Sequence, residues 1–225
     1  SEANALSGSD GMKVRSGHYT LLYEAIVGGD WTTIKDLPML SWAFFRMPLR
    51  TDLPLSVHQE RWERLYDLGH ELPSNAFEEV SYLMVNETVC AQVDFLLNHR
   101  FDPNVLIGAF GGTYLQMLLM EGMGEDKVSY LKLIKRLTSD PSVNLNPKPV
   151  EEFGFEVMGS PMKLALEGHE EGKLPYEVVE SLHRCGAVLR DGEMITLSAS
   201  QKKVIKSLAP TSEGATSSFV EESEA

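Results

Sequence analysis

The sequence predicts an all-α fold in which about five pairs of helices stack side by side as a helical repeat solenoid. The first observation behind this class is a hydroxyl residue followed two positions later by Leu or Met. It recurs at intervals of 31, 30, 32 and 47 residues, at Thr20, Thr51, Ser81, Thr113 and Ser160. A hydroxyl at the start of a helix can accept a hydrogen bond from a free backbone N–H group, so we expect the first helix of each pair to begin at these positions.

The second observation is a longer segment in each unit with apolar residues three and four positions apart, which is typical of an amphipathic helix. These segments are 61–75, 90–104, 128–146 and 176–192. Each breaks into Gly, Pro, Asn or Asp, and the predicted helix ends include Gly69, Arg100 and Gly186. A glycine there accepts the left-handed backbone that lets the chain reverse. The sequence thus predicts a short helix, a turn, a longer helix and a protruding connection in each unit.

Four segments then show a resemblance to a known family. They are TLLYEA at 20–25, SPMKLA at 160–165, VDFLLNHRFDPN at 93–104 and CGAVLRDG at 185–192. Together they resemble the motifs of a divergent ankyrin-repeat protein, over about residues 17–208. The resemblance implies an ankyrin-like stack whose connections project as fingers and line a concave face that captures other proteins.

Three regions depart from the repeat. Residues 1–16 and 209–225 are rich in small and polar residues, the latter also in acid, and are expected to be disordered tails. An irregular aromatic insert lies near 38–58, with Trp42, Phe44 and Phe45, and prolines interrupt it at 48 and 54. Its aromatic residues either pack inside the fold or form a binding patch. The segment 193–208, with Thr196 at its start, is expected to be a partial sixth unit that caps the stack.

Catalytic and metal-binding signatures are absent from the sequence. No nucleophile elbow, dinucleotide-binding glycine motif, phosphate loop or HExxH zinc motif occurs. The six histidines are scattered singly, whereas zinc needs three or four ligands with paired spacing. Cys185 precedes Gly186 and is interpreted as a buried residue at a helix end, not as an activated thiol. We expect no enzyme activity, cofactor or metal, although an enzyme on an unrelated helical fold stays an alternative.

Charge and cysteine content limit the partner and the compartment. The formal net charge of −13 disfavours direct nucleic-acid binding, which needs clustered Lys and Arg, and favours a protein partner with a basic surface. The two cysteines lack a CxxC spacing, and no export signal begins the sequence, so a cytoplasmic, reducing location is expected. No apolar run approaches the roughly 18 to 20 residues that span a bilayer, so no membrane insertion is expected.

Two of the predicted fingers carry apolar residues. Finger 1, residues 104–113, contains Leu106, Ile107 and Phe110, and finger 2, residues 146–160, contains Phe153, Phe155 and Val157. An exposed apolar cluster often marks recognition, although these residues could equally pack one finger against the next. The sequence therefore predicts a non-catalytic protein–protein interaction module. An effector or inhibitor in a host cell is one extension, since divergent ankyrin arrays often have such roles. An acidic decoy for a nucleic-acid-binding protein is another idea, and a structural subunit of a larger assembly is the alternative.

Overall fold

The computed structural model describes residues 21, 23–36, 45, 53–70, 72, 74–107, 111–149 and 158–208. This part of the chain is mostly α-helical, and strand-like pairing within it is confined to a bridge between Ile107 and Gly112. The predicted all-α class is therefore confirmed for the described residues, whereas the repeat solenoid stays a prediction. The predicted tails, 1–16 and 209–225, lie outside the described residues. None of the described helices combines the length and the apolar character needed to cross a bilayer.

The helices follow one another along most of the described chain. Residues 23–28 are helical and precede the first named helix. The helices are then α1 (Trp31–Asp36), α2 (Leu55–Asp67), α3 (Ala76–Ser81), α4 (Glu87–Asn98), α5 (Tyr114–Glu121), α6 (Lys127–Ser139), α7 (Pro161–Glu170), α8 (Tyr176–Arg184), α9 (Glu193–Thr196) and α10 (Ala199–Ser207).

The chain divides into two compact units, residues 1–79 and 80–225, and α3 spans the division. The division falls inside the predicted repeat domain, 17–208, whose limits stay a prediction. In the N-terminal unit, the Phe45 ring meets the Trp62 ring edge to face, with centroids 5.3 Å apart. Phe45 is buried, so packing is its role in the aromatic insert. Trp42 and Phe44 lie outside the described residues.

In the C-terminal unit, alternate helices pack against each other in succession. Helix α4 packs on α6 and α6 on α8, while α5 packs on α7 and α7 on α10. Helix α7 also contacts α8. The side chains between these helices form one apolar core, in which each fully buried large residue contributes about 1.5 to 3 kcal/mol to folding. This core includes Val93, Leu96, Leu115, Leu119, Tyr130, Leu133, Leu137, Met162, Leu166, Val179 and Leu182.

The predicted helix starts are confirmed at two positions and wrong at two. Thr113 caps α5 in a reciprocal capping box with Gln116, and Ser160 caps α7 by accepting from the Lys163 N–H. Ser81, however, is the last residue of α3, and Thr196 is the last residue of α9. Asparagine and serine cap the helices that follow them, because Asn86 accepts from the Val89 N–H and Ser198 from the Gln201 N–H. Thr20 and Thr51 lie outside the described residues.

The predicted left-handed backbone is confirmed at Gly69 and Gly186, and Arg100, predicted as a helix end, adopts it as well. The backbone φ angle is 85° at Gly69, 62° at Arg100 and 88° at Gly186. At each end the N–H of the following residue donates to a carbonyl five residues earlier, as His70 does to Leu65. These hydrogen bonds satisfy carbonyls that the last helical turn leaves free. Three second helices, α2, α4 and α8, therefore end in the same conformation, whereas α6 ends in extended backbone at Asp140.

Candidate protein-binding surface

The base of finger 1 is joined to the following loop by one asparagine side chain. The Asn104 Nδ2 donates to the Ser142 carbonyl at 2.8 Å, and the Asn144 N–H donates to the Asn104 Oδ1 at 2.7 Å. Asp102 orients this amide, because its Oδ1 accepts from the Asn104 Nδ2 at 3.0 Å. The Asn104 side chain thus donates one hydrogen bond to the loop backbone and accepts one from it, as a neighbouring strand would.

The base of finger 2 repeats this arrangement. The Asn146 Nδ2 donates to the Gly186 carbonyl at 3.0 Å, and the Val188 N–H donates to the Asn146 Oδ1 at 2.8 Å. In both fingers the accepting carbonyl and the donating N–H belong to residues two positions apart. Equivalent side chains therefore join each finger to the next loop in the C-terminal unit.

The two described ends of finger 1 pair with each other, and its apolar residues Leu106 and Ile107 differ in exposure. The Ile107 N–H donates to the Gly112 carbonyl at 2.8 Å. The Ile107 side chain is 1% exposed and the Leu106 side chain 46% exposed. The expectation that Ile107 belongs to the partner-contacting surface is therefore corrected, since packing inside the unit leaves no area for a partner. Phe110 lies outside the described residues, so Leu106 is the predicted contact that the structure leaves accessible.

Finger 2 is held at both ends by the guanidinium of Arg190. The Pro147 carbonyl accepts from the Arg190 Nε at 3.1 Å and from the Nη2 at 2.8 Å, while the Met158 carbonyl accepts from the Nη1 at 2.6 Å. Hydrogen bonds to a charged donor are stronger than neutral ones, so this contact fixes the distance between the two ends of the finger. The predicted contacts Phe153, Phe155 and Val157 lie between these ends but outside the described residues.

Glu193 completes the same base by accepting three hydrogen bonds. The Ser160 N–H donates to its Oε1 at 2.8 Å, the Ser160 hydroxyl to its Oε2 at 2.5 Å, and the Arg190 N–H to its Oε2 at 2.8 Å. Burial alone would raise the pKa of Glu193, but these hydrogen bonds and the Arg190 charge outweigh it and lower the pKa below its usual range. The carboxylate is therefore ionised at neutral pH and lies at the N-terminus of α7, where negative charge is favourable.

A neighbouring contact ties finger 1 to finger 2 inside the C-terminal unit. The Gln116 Nε2 donates to the Gly159 carbonyl at 2.8 Å, while the same side chain accepts from the Thr113 N–H. Gly112 lies so close to the Met158 thioether that a β-carbon would displace it. The ends of the two fingers are therefore in contact.

A pocket of about 630 Å³ opens beside the base of finger 2. Its cationic lining residues are Lys148, Lys163 and Arg190, and its acidic ones are Asp191 and Glu193. This volume lies in the range of small-ligand pockets. Three of its charged groups pair with protein groups, because Arg190 donates to the finger carbonyls, Glu193 accepts from Ser160, and Lys163 lies 3.5 Å from Glu167. The pocket is therefore a polar recess beside the base of finger 2.

In the described part of the chain, the two cysteines differ in exposure. No cluster of three or more His, Cys, Asp or Glu could hold a metal ion there. Cys90 is buried, and burial raises the pKa of its thiol. Cys185 follows the last residue of α8, as predicted, but it is exposed, so its interpretation as a buried residue is wrong.

The sequence interpretation missed Arg190 and Glu193. Their partners lie 32 to 43 residues earlier in the chain, and no local pattern reveals such pairings. A signal did exist for the asparagine contacts, because Asn104 and Asn146 each end a predicted second-helix segment and begin a finger. No known protein-family model, curated protein or solved structure matches this chain.

Proposed function

We propose that this chain is a non-catalytic, ankyrin-like interaction module that binds a protein partner through its two fingers. The observation that carries the proposal is the hydrogen-bonded base of finger 2, where Arg190 fixes the carbonyls of Pro147 and Met158. A binding loop held at both ends loses less conformational entropy when it meets a partner. Such a base is useful for recognition and needs no chemistry of its own.

Three features of the C-terminal unit support the repeat interpretation. Alternate helices pack in succession, the same asparagine bridge occurs at the base of both fingers, and α4 and α8 end in the same left-handed turn. Recurrence of one local geometry is expected when each unit stacks on the next through equivalent contacts. The family resemblance and these features favour the same arrangement independently.

The charge of the chain favours a partner with a basic surface. The formal net charge is −13, which attracts positively charged proteins at a distance and raises their association rate. Apolar finger residues, including the accessible Leu106, would then supply the buried contact area. An effector or inhibitor role is an extension of this proposal.

The test measures which proteins bind to the full chain when Phe153 and Phe155 of finger 2 are present and when both are replaced. Wild type, Phe153→Ala/Phe155→Ala and the control Met84→Ala/Val128→Ala are immobilised, and captured proteins are quantified by mass spectrometry. The control residues Met84 and Val128 are 75% and 79% exposed and lie outside the fingers. Their substitution therefore removes exposed apolar side chains without changing either finger. Far-UV circular dichroism confirms that all three proteins fold.

We expect a partner that wild type and control recover and the finger variant loses, with at least a tenfold weaker Kd when that partner is purified. Equal recovery by the finger variant would refute binding through finger 2. Light scattering after size exclusion tests the alternative that the chain is a structural subunit of a larger assembly. Such a subunit would form a defined oligomer by itself or with its captured partner.

A further inference from the structure

The buried face of α2 in the N-terminal unit carries two basic side chains. His58 is 4% exposed and Arg61 is 8% exposed, and Trp62 and Leu65 continue the same face. Residues three positions apart lie next to each other on a helix, so His58 and Arg61 are neighbours inside this unit. Charged and titratable groups seldom occupy such positions unless they are paired.

These two side chains leave polar atoms without hydrogen bonds. The Arg61 Nη2 donates to the Val27 carbonyl at 3.3 Å, but the Arg61 Nη1 and the His58 Nδ1 are buried without a partner in the described chain. The Arg61 guanidinium also forms no ion pair with a described carboxylate. The buried charge of Arg61 is therefore incompletely compensated by the residues that the structure describes, and such a charge is costly.

The other charged side chains on α2 are exposed, and so are those of residues 23–30 and of α1 for which the structure describes burial. The exposed groups are Glu24, Asp30, Lys35, Glu60, Glu63, Arg64 and Asp67. On α3, Glu78 and Glu79 are half-buried, and the Glu78 carboxylate accepts from the Asn75 Nδ2 at 2.7 Å. A proton on His58 would thus add a second buried positive charge beside the first.

The direction of the pKa shift agrees with this geometry. Burial, and after it the charge of Arg61, lowers the pKa of His58, and a hydrogen bond to the Leu53 backbone opposes them only in part. Burial also lowers the pKa of His70 in the same unit, whose Nε2 is buried without a partner. A hydrogen bond to the Ile34 backbone opposes the shift of His70. Both histidines therefore bind a proton less readily in the folded unit than in the unfolded chain.

We propose that the N-terminal unit is an acid-sensitive switch, in which protonation of His58 beside the buried Arg61 opens the unit while the C-terminal unit keeps its fold. The histidines described in the C-terminal unit, His99, His169 and His183, are partly exposed, whereas His58 is 4% exposed. The inference does not depend on the proposed binding function.

The size of the effect follows from linkage. A histidine has a pKa of about 6.5 in an unfolded chain, and as the pH falls below that value the unfolded state binds a proton more readily than the folded state, whose pKa is lowered. Stability is therefore lost as the pH falls below about 6.5. Between pH 7.5 and 5.5 the ratio of folded to unfolded N-terminal unit falls by up to about tenfold for each such histidine.

Tryptophan fluorescence of the full chain reports this unit alone, because all three tryptophans, Trp31, Trp42 and Trp62, belong to residues 1–79. Urea unfolding is followed by this emission at pH 7.5 and 5.5 for wild type, His58→Gln and the control His183→Gln. We expect the ratio of folded to unfolded N-terminal unit to fall equally in wild type and control between the two pH values. In His58→Gln the fall in this ratio should be about tenfold smaller.

An unchanged wild-type midpoint, or an equal loss in His58→Gln, would overturn the proposal. Should His58→Gln fail to fold, proton NMR of the wild-type His58 ring decides instead. We expect this resonance to stay in its neutral position until the unit opens. Reversible titration of the folded protein at or above pH 6.5 would overturn the proposal as well.

Discussion

Replacing Glu193 with glutamine tests the base of finger 2 most directly. The carboxylate accepts from the Ser160 N–H, the Ser160 hydroxyl and the Arg190 N–H. An amide has one oxygen, so its NH2 group must face at least one of these donors. Hydrogen bonds to charged groups contribute about 1.5 to 3 kcal/mol each, and partial exposure of Glu193 places its bonds at the low end. We expect Glu193→Gln to cost about 2 kcal/mol.

Hydrogen exchange followed by mass spectrometry measures this cost at α7, whose N-terminus Glu193 completes. A loss of about 2 kcal/mol corresponds to roughly 30-fold faster exchange of the α7 amides when exchange occurs through opening of this unit. Glu177→Gln, on the exposed side of α8, is the matched control and should leave the rate unchanged. Exchange of α7 within threefold of wild type in Glu193→Gln would refute the role assigned to the carboxylate.

The same variant should lose its difference from wild type in acid. Because the pKa of Glu193 is lowered in the folded chain, its contribution is complete above the unfolded pKa of about 4.5. The contribution disappears as the pH falls through the folded value. Urea unfolding at pH 7 and in stepwise acid should therefore show the two proteins converging below about pH 4.5, and a constant difference would contradict the ionised state.

Three further substitutions test single contacts, each by urea unfolding followed by circular dichroism. Asn146→Ala removes two hydrogen bonds between finger 2 and the next loop and should cost about 1 to 2 kcal/mol, so an unchanged midpoint would argue against the bridge. Arg100→Gly should stabilise the chain by about 1 kcal/mol, since Arg100 is exposed and strained at a φ of 62°, and a loss would show that its side chain matters more than its backbone. Tyr130→Phe should cost about 1 kcal/mol, because its hydroxyl donates to the Leu118 carbonyl at 2.9 Å, and a neutral effect would indicate that water replaces it.

Local chemistry explains which helix boundaries were predictable. Thr113 and Ser160 begin helices because each is followed by a residue whose N–H its hydroxyl can reach, and Pro161 is suited to the first helical position. Ser81 satisfies the same loose pattern, yet it ends α3, because the stronger capping signal is the Asn86 and Glu87 pair that opens α4. The pattern of a hydroxyl and a leucine is too short to distinguish the beginning of a helix from its end.

The aromatic insert shows a similar limit. Pro54 was expected to interrupt the helical pattern, and α2 does begin directly after it, six residues earlier than the segment 61–75 predicted. The amphipathic period is hidden there because His58 and Arg61 occupy buried positions that a hydropathy pattern assigns to apolar residues. The candidate site was hidden for another reason, since Arg190 and Glu193 act on backbone groups more than 30 residues away. Only the folded chain brings these groups together.

Ser160 leaves the ribosome before Glu193, so the hydrogen bonds between them form only after a delay during translation. The two residues are 33 positions apart, so roughly two to seven seconds of translation separate them at usual rates. During that interval the nascent chain holds the first turn of α7 without its anion and the two ends of finger 2 without the guanidinium that joins them. Residues 190–193 must therefore be synthesised before this region can fold completely. A chain that ends before them would lack the hydrogen bonds that hold the two ends of finger 2 together.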